Sequence, residues 1–370
     1  MADELRGGDD LGPVKVIHVR ERALGLDATL VVDNVACGPA IGGLRMAADV
    51  STDECVRLAR AMTLKNAAAG LPHGGGKSVL RGDPRMPRER KELLIRAFAH
   101  ALRNEHDYIF GPDMGTDETC MAWVHDEIGR AVGRPAAVGG IPLDEIGATG
   151  WGLLHAAEAA ARHLEIDLAG ARVAVQGFGA VGRHAARFLA TRGARLVGAS
   201  DSGGTIVDER GIDVAALVRL KGDGRSVGEH PEGRRLPRDD IVGVACDIFI
   251  PAARPDVVHA GNVDRLQAKL VLQGANIPFT ADAEKVLHER GVTVVPDFVA
   301  NAGGVICAAM EYARATQAAA FAAIAEKIGA NTEAVLAAAK RRGIPPREAA
   351  LELAADRVRA AMATRRFRIM

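Results

Sequence analysis

From Val14 to Val35 the chain sets short runs of Val, Ile and Leu against polar neighbours. Val14-Lys15-Val16-Ile17 and Thr29-Leu30-Val31-Val32 have the spacing that predicts early strands. Ser51 or Thr52 precedes apolar residues at helical spacing (Cys55, Leu58, Ala59, Met62), predicting a capped helix that ends near Ala69-Gly70-Leu71-Pro72. The stretch His73-Gly74-Gly75-Gly76-Lys77 leads into Ser78-Val79-Leu80, and its glycines allow backbone to approach a ligand closely. Helices are expected over residues 87–105 and 123–132, with a strand and turn at 108–113 between them. From Gly150 the pattern changes to a long alanine-rich helix ending near Leu164. Apolar strand runs at 173–176, 196–199, 248–250, 270–273 and 292–295 then alternate with helical segments, the signature of a doubly wound parallel sheet. Residues 316–362 read as helical, with a break at Gly343-Ile344-Pro345-Pro346.

At 370 residues the chain exceeds the roughly 250–300 that one core organises, so two α/β domains are expected. A substrate and catalytic domain is placed at 1–147, with C-terminal helices from about 335–370 packing back on it, and a Rossmann-type dinucleotide domain at 148–334. Hydrophobic residues at 48% and charged residues at 25% are those of a globular chain with a sizeable core. The 47 basic residues balance 47 acidic ones, which gives no electrostatic reason to expect nucleic acid or an anionic membrane as partner and favours a small-molecule substrate. Five scattered cysteines without C-x-x-C spacing suggest neither a disulfide framework nor a zinc site, and point to the cytoplasm. The opening MADELRGGDD is polar, with no apolar signal core, and eleven dispersed histidines give no metal spacing.

The chemistry begins at Gly177-Phe178-Gly179-Ala180-Val181-Gly182, a G-x-G-x-x-G that joins the strand Arg172-Val173-Ala174-Val175-Gln176 to a helix and is followed by a second strand ending in Asp201. In that context it is a dinucleotide fingerprint. Gly177 permits the turn, Gly179 lets backbone meet a pyrophosphate, and Gly182 allows close helix–strand packing. Asp201 is placed at the ribose hydroxyls, so NAD is the expected cofactor, while Ser202 and its neighbouring glycines leave room for NADP. Lys65 and Lys77 lie twelve residues apart, one late in a helix and one ending a glycine loop. A lysine in such an apolar cleft loses solvation of its charged form and becomes suited to acid–base work, with Asp113 as a candidate partner.

These motifs resemble the glutamate/leucine/phenylalanine/valine dehydrogenase family. The resemblance rests on Gly38-Pro39-Ala40-Ile41-Gly42-Gly43-Leu44-Arg45, Met62-Thr63-Leu64-Lys65-Asn66-Ala67, the 71–77 loop and Gly111-Pro112-Asp113. Further on, Ala148-Thr149-Gly150, Gly177 to Gly182, Gly274-Ala275-Asn276 and the 296–305 segment around Asn301-Ala302-Gly303-Gly304 follow in the family's order. The resemblance implies that Lys65 holds the substrate α-carboxylate and that Lys77 with Asp113 transfers protons and activates water. It also implies that Thr149 and Asn301 lie at nicotinamide and substrate, that Asn276 lies near the cofactor ribose, and that the protein is a homo-oligomer. The implied reaction removes hydride from the substrate Cα, adds water to the resulting iminium ion, and releases ammonia and a 2-oxo acid.

For the side-chain pocket the resemblance points to Ile41, Gly42, Gly111, Val305 and Ala308. Glutamate-specific members carry a lysine and a serine where this chain has Ile41 and Ala308, and a buried second carboxylate without partners costs several kcal/mol. An apolar substrate of the phenylalanine, leucine or valine type is therefore expected, with a leucine/phenylalanine-dehydrogenase-like pocket. Two alternatives stand beside it. One is a glutamate dehydrogenase with a rearranged carboxylate site, in which Arg45 or His73 supplies the charge; the other is a catalytically silent NAD-binding protein. The segment from Ser202 to Asp247 is similar to glutamate dehydrogenases rather than leucine dehydrogenases.

Overall fold

The computed structural model describes residues 8–367, so most of the polar N-terminal stretch and the last three residues of the expected C-terminal helices lie outside it. The chain divides into two compact units. One comprises the chain up to Pro142, Val305–Ala320 and the chain from Glu352; the other comprises Leu143–Gly304 and Phe321–Leu351.

The first unit is built on a five-stranded sheet of β1 (Lys15–Glu21), β2 (Leu26–Asn34), β3 (Ala40–Ala47), β4 (Gly75–Arg81) and β5 (Tyr108–Pro112), in the order β1-β2-β4-β3-β5. The pairs β1–β2 and β2–β4 are antiparallel, whereas β3 runs parallel to both β4 and β5. Helix α1 (Thr52–Ala68) starts where expected: Ser51 Oγ accepts the Glu54 N–H at 3.2 Å. Helix α2 (Arg88–Ala101) stops four residues earlier than its expected end. Helix α3 (Glu118–Ile128) corrects the expected 123–132. The Asp117 carboxylate caps it by accepting from Cys120 N, and Gly129, in the left-handed conformation, ends it. One core holds the sheet to α2 and α3, with Phe98, Tyr108, Phe110, Leu44, Met46 and Met121 fully buried. Each such side chain contributes on the order of 1.5–3 kcal/mol.

The second unit starts with α4 (Leu143–Ile146) and α5 (Ala148–Leu164), followed by the fingerprint unit β6 (Arg172–Gln176), α6 (Ala180–Ala190) and β7 (Arg195–Asp201). An antiparallel pair, β8 (Gly204–Val207) and β9 (Arg234–Leu236), with α7 (Val214–Gly222) between them, fills most of the segment after Asp201. Strands β10 (Ile248–Pro251), β11 (Leu270–Leu272) and β12 (Thr293–Val295) complete a seven-stranded sheet ordered β12-β11-β10-β6-β7-β8-β9. Helix α8 (Ala281–Glu289) connects the last two of these strands. The five strands from β12 to β7 are parallel, as the alternation predicts; the antiparallel edge is an addition. After β12 come α9 (Asp297–Ala300), α10 (Gly303–Tyr312), α11 (Gln317–Arg342) and α12 (Pro346–Ala363). The division of these helices differs from the expected 148–334 and 335–370. Val305–Ala320 clusters with the first unit, most of α11 with the second, and α12 from Glu352 onward with the first. That last stretch is held by Arg357, which donates to the Ala67 and Ala68 carbonyls ending α1. No helix among the described residues is long and apolar enough to cross a membrane.

Candidate active site

In the first unit, register brings the catalytic candidates together. Leu44 of β3 pairs with Ser78 of β4, and Gly43 pairs with Gly111 of β5, so Gly43 lies between Lys77 and the turn that carries Asp113. A Cβ on Gly43 would fall 2.7 Å from Asp113 Cβ and 3.1 Å from Lys77 Nζ. The missing side chain is the space in which Lys77 Nζ meets Asp113 Oδ2 at 2.7 Å. Gly42 is pressed just as closely: its Cβ would lie 1.8 Å from the Gly76 carbonyl oxygen. Two residues beyond Gly43, on the same face of β3, Arg45 donates Nε to the same Asp113 oxygen at 2.9 Å and its other arm to Glu54 at 2.6 Å.

Lys77 is only 5% exposed. Burial works to raise the Asp113 carboxyl pKa, but Lys77 and Arg45 outweigh it and hold the group below the usual carboxylate range. The result is a buried lysine amino group with a fixed carboxylate beside it, suited to passing a proton to and from a bound substrate or water. Supporting residues escaped the sequence reading. Tyr108, fully buried, donates its hydroxyl to the Gly42 carbonyl at 2.8 Å and contacts Ser78 Oγ at 3.1 Å, fixing the β3 backbone beside Lys77. Asn66, next to Lys65 in the last turn of α1, donates to the Gly74 carbonyl at 2.7 Å and so ties that helix to the glycine loop. A polar residue one step from a lysine at a helix end was the available signal, with nothing in one sequence to show that it is buried.

Among the pocket positions, Ile41 shares the β3 face of Gly43 and Arg45 and is buried. A Cβ on Gly111 would make only ordinary van der Waals contact, 3.7 Å from the Gly42 oxygen and from Val132 Cγ2, so the position has room for a methyl. Ala308 lies one turn before Tyr312 in α10, and Tyr312 packs edge-on against His73 of the glycine loop, with centroids 5.8 Å apart. Val305 lies in the first turns of the same helix. Buried Glu311 sets the position of α10 by accepting from Gly133 N, Ile141 N and Arg134 Nε. The two residues named for a rearranged carboxylate site are already engaged: Arg45 pairs with Asp113 and Glu54, and His73 contacts the Pro39 carbonyl, with burial lowering its pKa.

In the second unit the fingerprint has the geometry a dinucleotide needs. Gly177 adopts a φ of 93°, and both Gly177 N and Phe178 N donate to the Ser200 carbonyl, binding the loop to the end of β7. A Cβ on Gly182 would lie 2.0 Å from the Gly177 oxygen, whereas one on Gly179 would meet nothing within 4 Å. Helix α6 begins at Ala180 and Val181 with no side-chain cap, so its first N–H groups face that opening, which fits a pyrophosphate. The Phe178 ring is buried, leaving only its backbone for a ligand. Thr149 lies near the start of α5, its hydroxyl 3.4 Å from where a Cβ on Gly304 would sit, and Asn301 Nδ2 donates to Asn276 Oδ1 at 2.9 Å, which joins two of the expected nicotinamide-side residues.

Asp201 is already engaged within the protein. Its carboxylate already accepts from Gly203 N, Ser226 Oγ, Lys221 Nζ and Val227 N, at 2.6–2.9 Å. These fill its four acceptor positions, so a ribose hydroxyl would have to displace one of them. Among the described residues no group of His, Cys, Asp and Glu is arranged to hold a metal.

A buried lysine–carboxylate pair and a dinucleotide-binding sheet define a nicotinamide-dependent dehydrogenase. Family models described as Glutamate/Leucine/Phenylalanine/Valine dehydrogenase and as Glu/Leu/Phe/Val dehydrogenase, dimerisation domain, match residues 139–366 and 14–130, and the chain belongs to this family. An NADP-specific glutamate dehydrogenase from Saccharolobus shibatae is 36% identical over 324 residues, covering 81% of this chain and 76% of that protein. Among solved structures, a hetero-hexameric glutamate dehydrogenase from Thermus thermophilus in a leucine-bound form superposes with TM-score 0.82 at 29% identity, covering 94% and 89%. L-tryptophan dehydrogenase from Nostoc punctiforme superposes with TM-score 0.76 at 25% identity, covering 95% and 97%. The protein is an NAD(P)-dependent amino-acid dehydrogenase acting on a small-molecule substrate.

Proposed function

We propose that this dehydrogenase oxidatively deaminates an L-amino acid by acid–base catalysis at Lys77 and Asp113, and the observation that carries the reading is their 2.7 Å contact in a desolvated setting. Lys65 receives the α-carboxylate. Lys77, as the neutral amine, takes a proton from the attacking water, and the ammonium so formed returns it to the departing nitrogen, while Asp113, held by Arg45, keeps that amino group in place. The bound nicotinamide supplies the hydride acceptor. The backbone at Gly179, with the first N–H groups of α6 at Ala180 and Val181, would hold the pyrophosphate, with Thr149, Asn276 and Asn301 toward the nicotinamide end.

On the substrate, kinship favours glutamate: the curated relatives at 36–40% identity are named glutamate dehydrogenases. This places glutamate ahead of the apolar substrate expected from the sequence. The second reading, an apolar L-amino acid, rests on Ile41 sharing the β3 face of the catalytic pair and on the prior pairing of Arg45. The structural relative named L-tryptophan dehydrogenase also supports it. Initial rates with NAD and with NADP over glutamate, leucine, valine, phenylalanine and tryptophan test the assignment. A kcat/KM for glutamate above that for every apolar substrate supports the first reading, the reverse order supports the second, and no turnover of any refutes both. A homo-oligomer fits the dimerisation-domain match, and five free cysteines, four of them buried, fit a cytoplasmic protein.

A further inference from the structure

Beyond the fingerprint, the loops at the carboxyl ends of β6, β10 and β11 adjoin: Ala252 N donates to the Gln176 carbonyl, and Gly274 N and Ala275 N donate to the Pro251 carbonyl. In a sheet of this topology the pyrophosphate lies at the β6 loop and the adenosine on the β7 side. The turn after β11 is then left to the nicotinamide half. That turn contains an anomaly. Ile277, a β-branched residue 60% exposed, adopts a φ of 49°, a conformation that such side chains resist. Strain of this kind persists only when the surroundings impose it, and it concentrates at functional sites.

The imposing group is traceable. Ile277 N donates to Asp297 Oδ2 at 2.8 Å, and the other oxygen of Asp297, Oδ1, is paired with Arg347 at 2.9 Å. Arg347 enters from the start of α12. It also donates to Gln273 Oε1 at 2.7 Å and forms a fork to Glu284 at 2.6 and 2.9 Å, while its guanidinium lies over the Phe298 ring. Gln273 Oε1 in turn accepts the Asp297 N–H at 3.0 Å. One planar cation therefore fixes the strand end at Gln273 and the carboxylate that holds Ile277, and between them Asn276, whose side chain meets Asn301. A fork of this geometry is one that lysine cannot reproduce.

We propose that Arg347 is a positioning residue for the nicotinamide half of the cofactor: through Asp297 it holds the 274–277 turn in its strained form and so presents Asn276 and Asn301. This rests on the reading of the chain as a nicotinamide-dependent dehydrogenase. The test compares binding of NADH with binding of ADP, which probes only the adenosine half, in the full chain and in Arg347→Met and Arg347→Lys. We expect the NADH Kd to rise about tenfold or more in the Met variant and less in the Lys variant, with the ADP Kd within about twofold of wild type. Adding Ile277→Gly to Arg347→Met should recover part of the NADH affinity, because glycine takes a positive φ without strain. If the Met variant does not accumulate, the Lys variant carries the same comparison. Equal weakening of NADH and ADP, unchanged NADH affinity, or no recovery with glycine would each overturn the proposal. A wild-type chain that binds neither nucleotide would sink the functional reading itself.

Discussion

Gly43→Ala is the smallest perturbation of the proposed catalytic pair. The new methyl would lie 2.7 Å from Asp113 Cβ, 2.9 Å from the Pro112 carbonyl oxygen and 3.1 Å from Lys77 Nζ. Carbon atoms in contact settle at about 3.5–4.0 Å, so the 113 side chain or strand β3 must give way by about 1 Å. Two of the three neighbours are the side chains whose 2.7 Å contact carries the proposed chemistry, and the third is backbone, which yields less readily. A displacement of about 1 Å in a catalytic group costs about 100-fold in rate, or roughly 2.7 kcal/mol of barrier. The variant is therefore expected to lose 10- to 100-fold in kcat, with NADH affinity unchanged because the fingerprint is not touched. Steady-state kinetics on the best substrate, with a melting curve to confirm folding, reads this directly. A folded Gly43→Ala protein with kcat within about twofold of wild type would refute the argument that this glycine makes room for the Lys77–Asp113 contact.

Three further outcomes follow. Gly182→Ala places a methyl 2.0 Å from the Gly177 oxygen and should abolish NADH binding in titration, whereas retained binding would show that the helix–strand contact tolerates it. Ile41→Lys puts an ammonium on the β3 face of Gly43 and should raise the ratio of glutamate to leucine kcat/KM by about tenfold or more, at some cost in melting temperature since Ile41 is buried; an unchanged ratio would remove Ile41 from the pocket. His184 is buried, and burial first, then Arg187 and Arg183, lowers its pKa from 6.5 to about 4. Between those values the unfolded chain binds a proton that the folded chain does not, so stability is full above pH 6.5 and declines toward pH 4, by roughly 1–3 kcal/mol. Denaturant titrations of wild type and His184→Phe across that range should show the wild-type slope flattened in the variant.

The elements that follow a strict period were legible from the residues: β2, α1, the β6–α6 fingerprint and the parallel strands of the second sheet all fall where the apolar spacing places them. Strand β3 was not, because Gly42 and Gly43 interrupt its apolar run, and they are there for the packing of β3 against β4 and the catalytic pair. Helix α3 slipped by five residues at its start because the cap at Asp117 lies ahead of the apolar residues that define the period. The antiparallel pair β8 and β9 lies within 202–247, where polar residues and turns give no period. At the site, Lys77 and Asp113 were identified by family pattern and the fold joins them, but the third member, Arg45, carries no local mark of its link to Asp113, 68 residues away. Asp201 holds partners that the sequence does not show. Its position after β7 reads as a ribose ligand, yet its four donors include Lys221, Ser226 and Val227 from a segment whose return to β7 no local pattern announces.

The central claim is that Lys77 performs the proton transfers of amino-acid deamination, and the measurement that tests it most directly is kcat for Lys77→Ala on the best substrate, beside an NADH Kd for the same protein. A general acid–base group contributes about 100- to 10,000-fold. The account predicts a loss of at least 100-fold in kcat with an NADH Kd within about twofold of wild type. A folded variant that keeps more than about a tenth of wild-type kcat would contradict it.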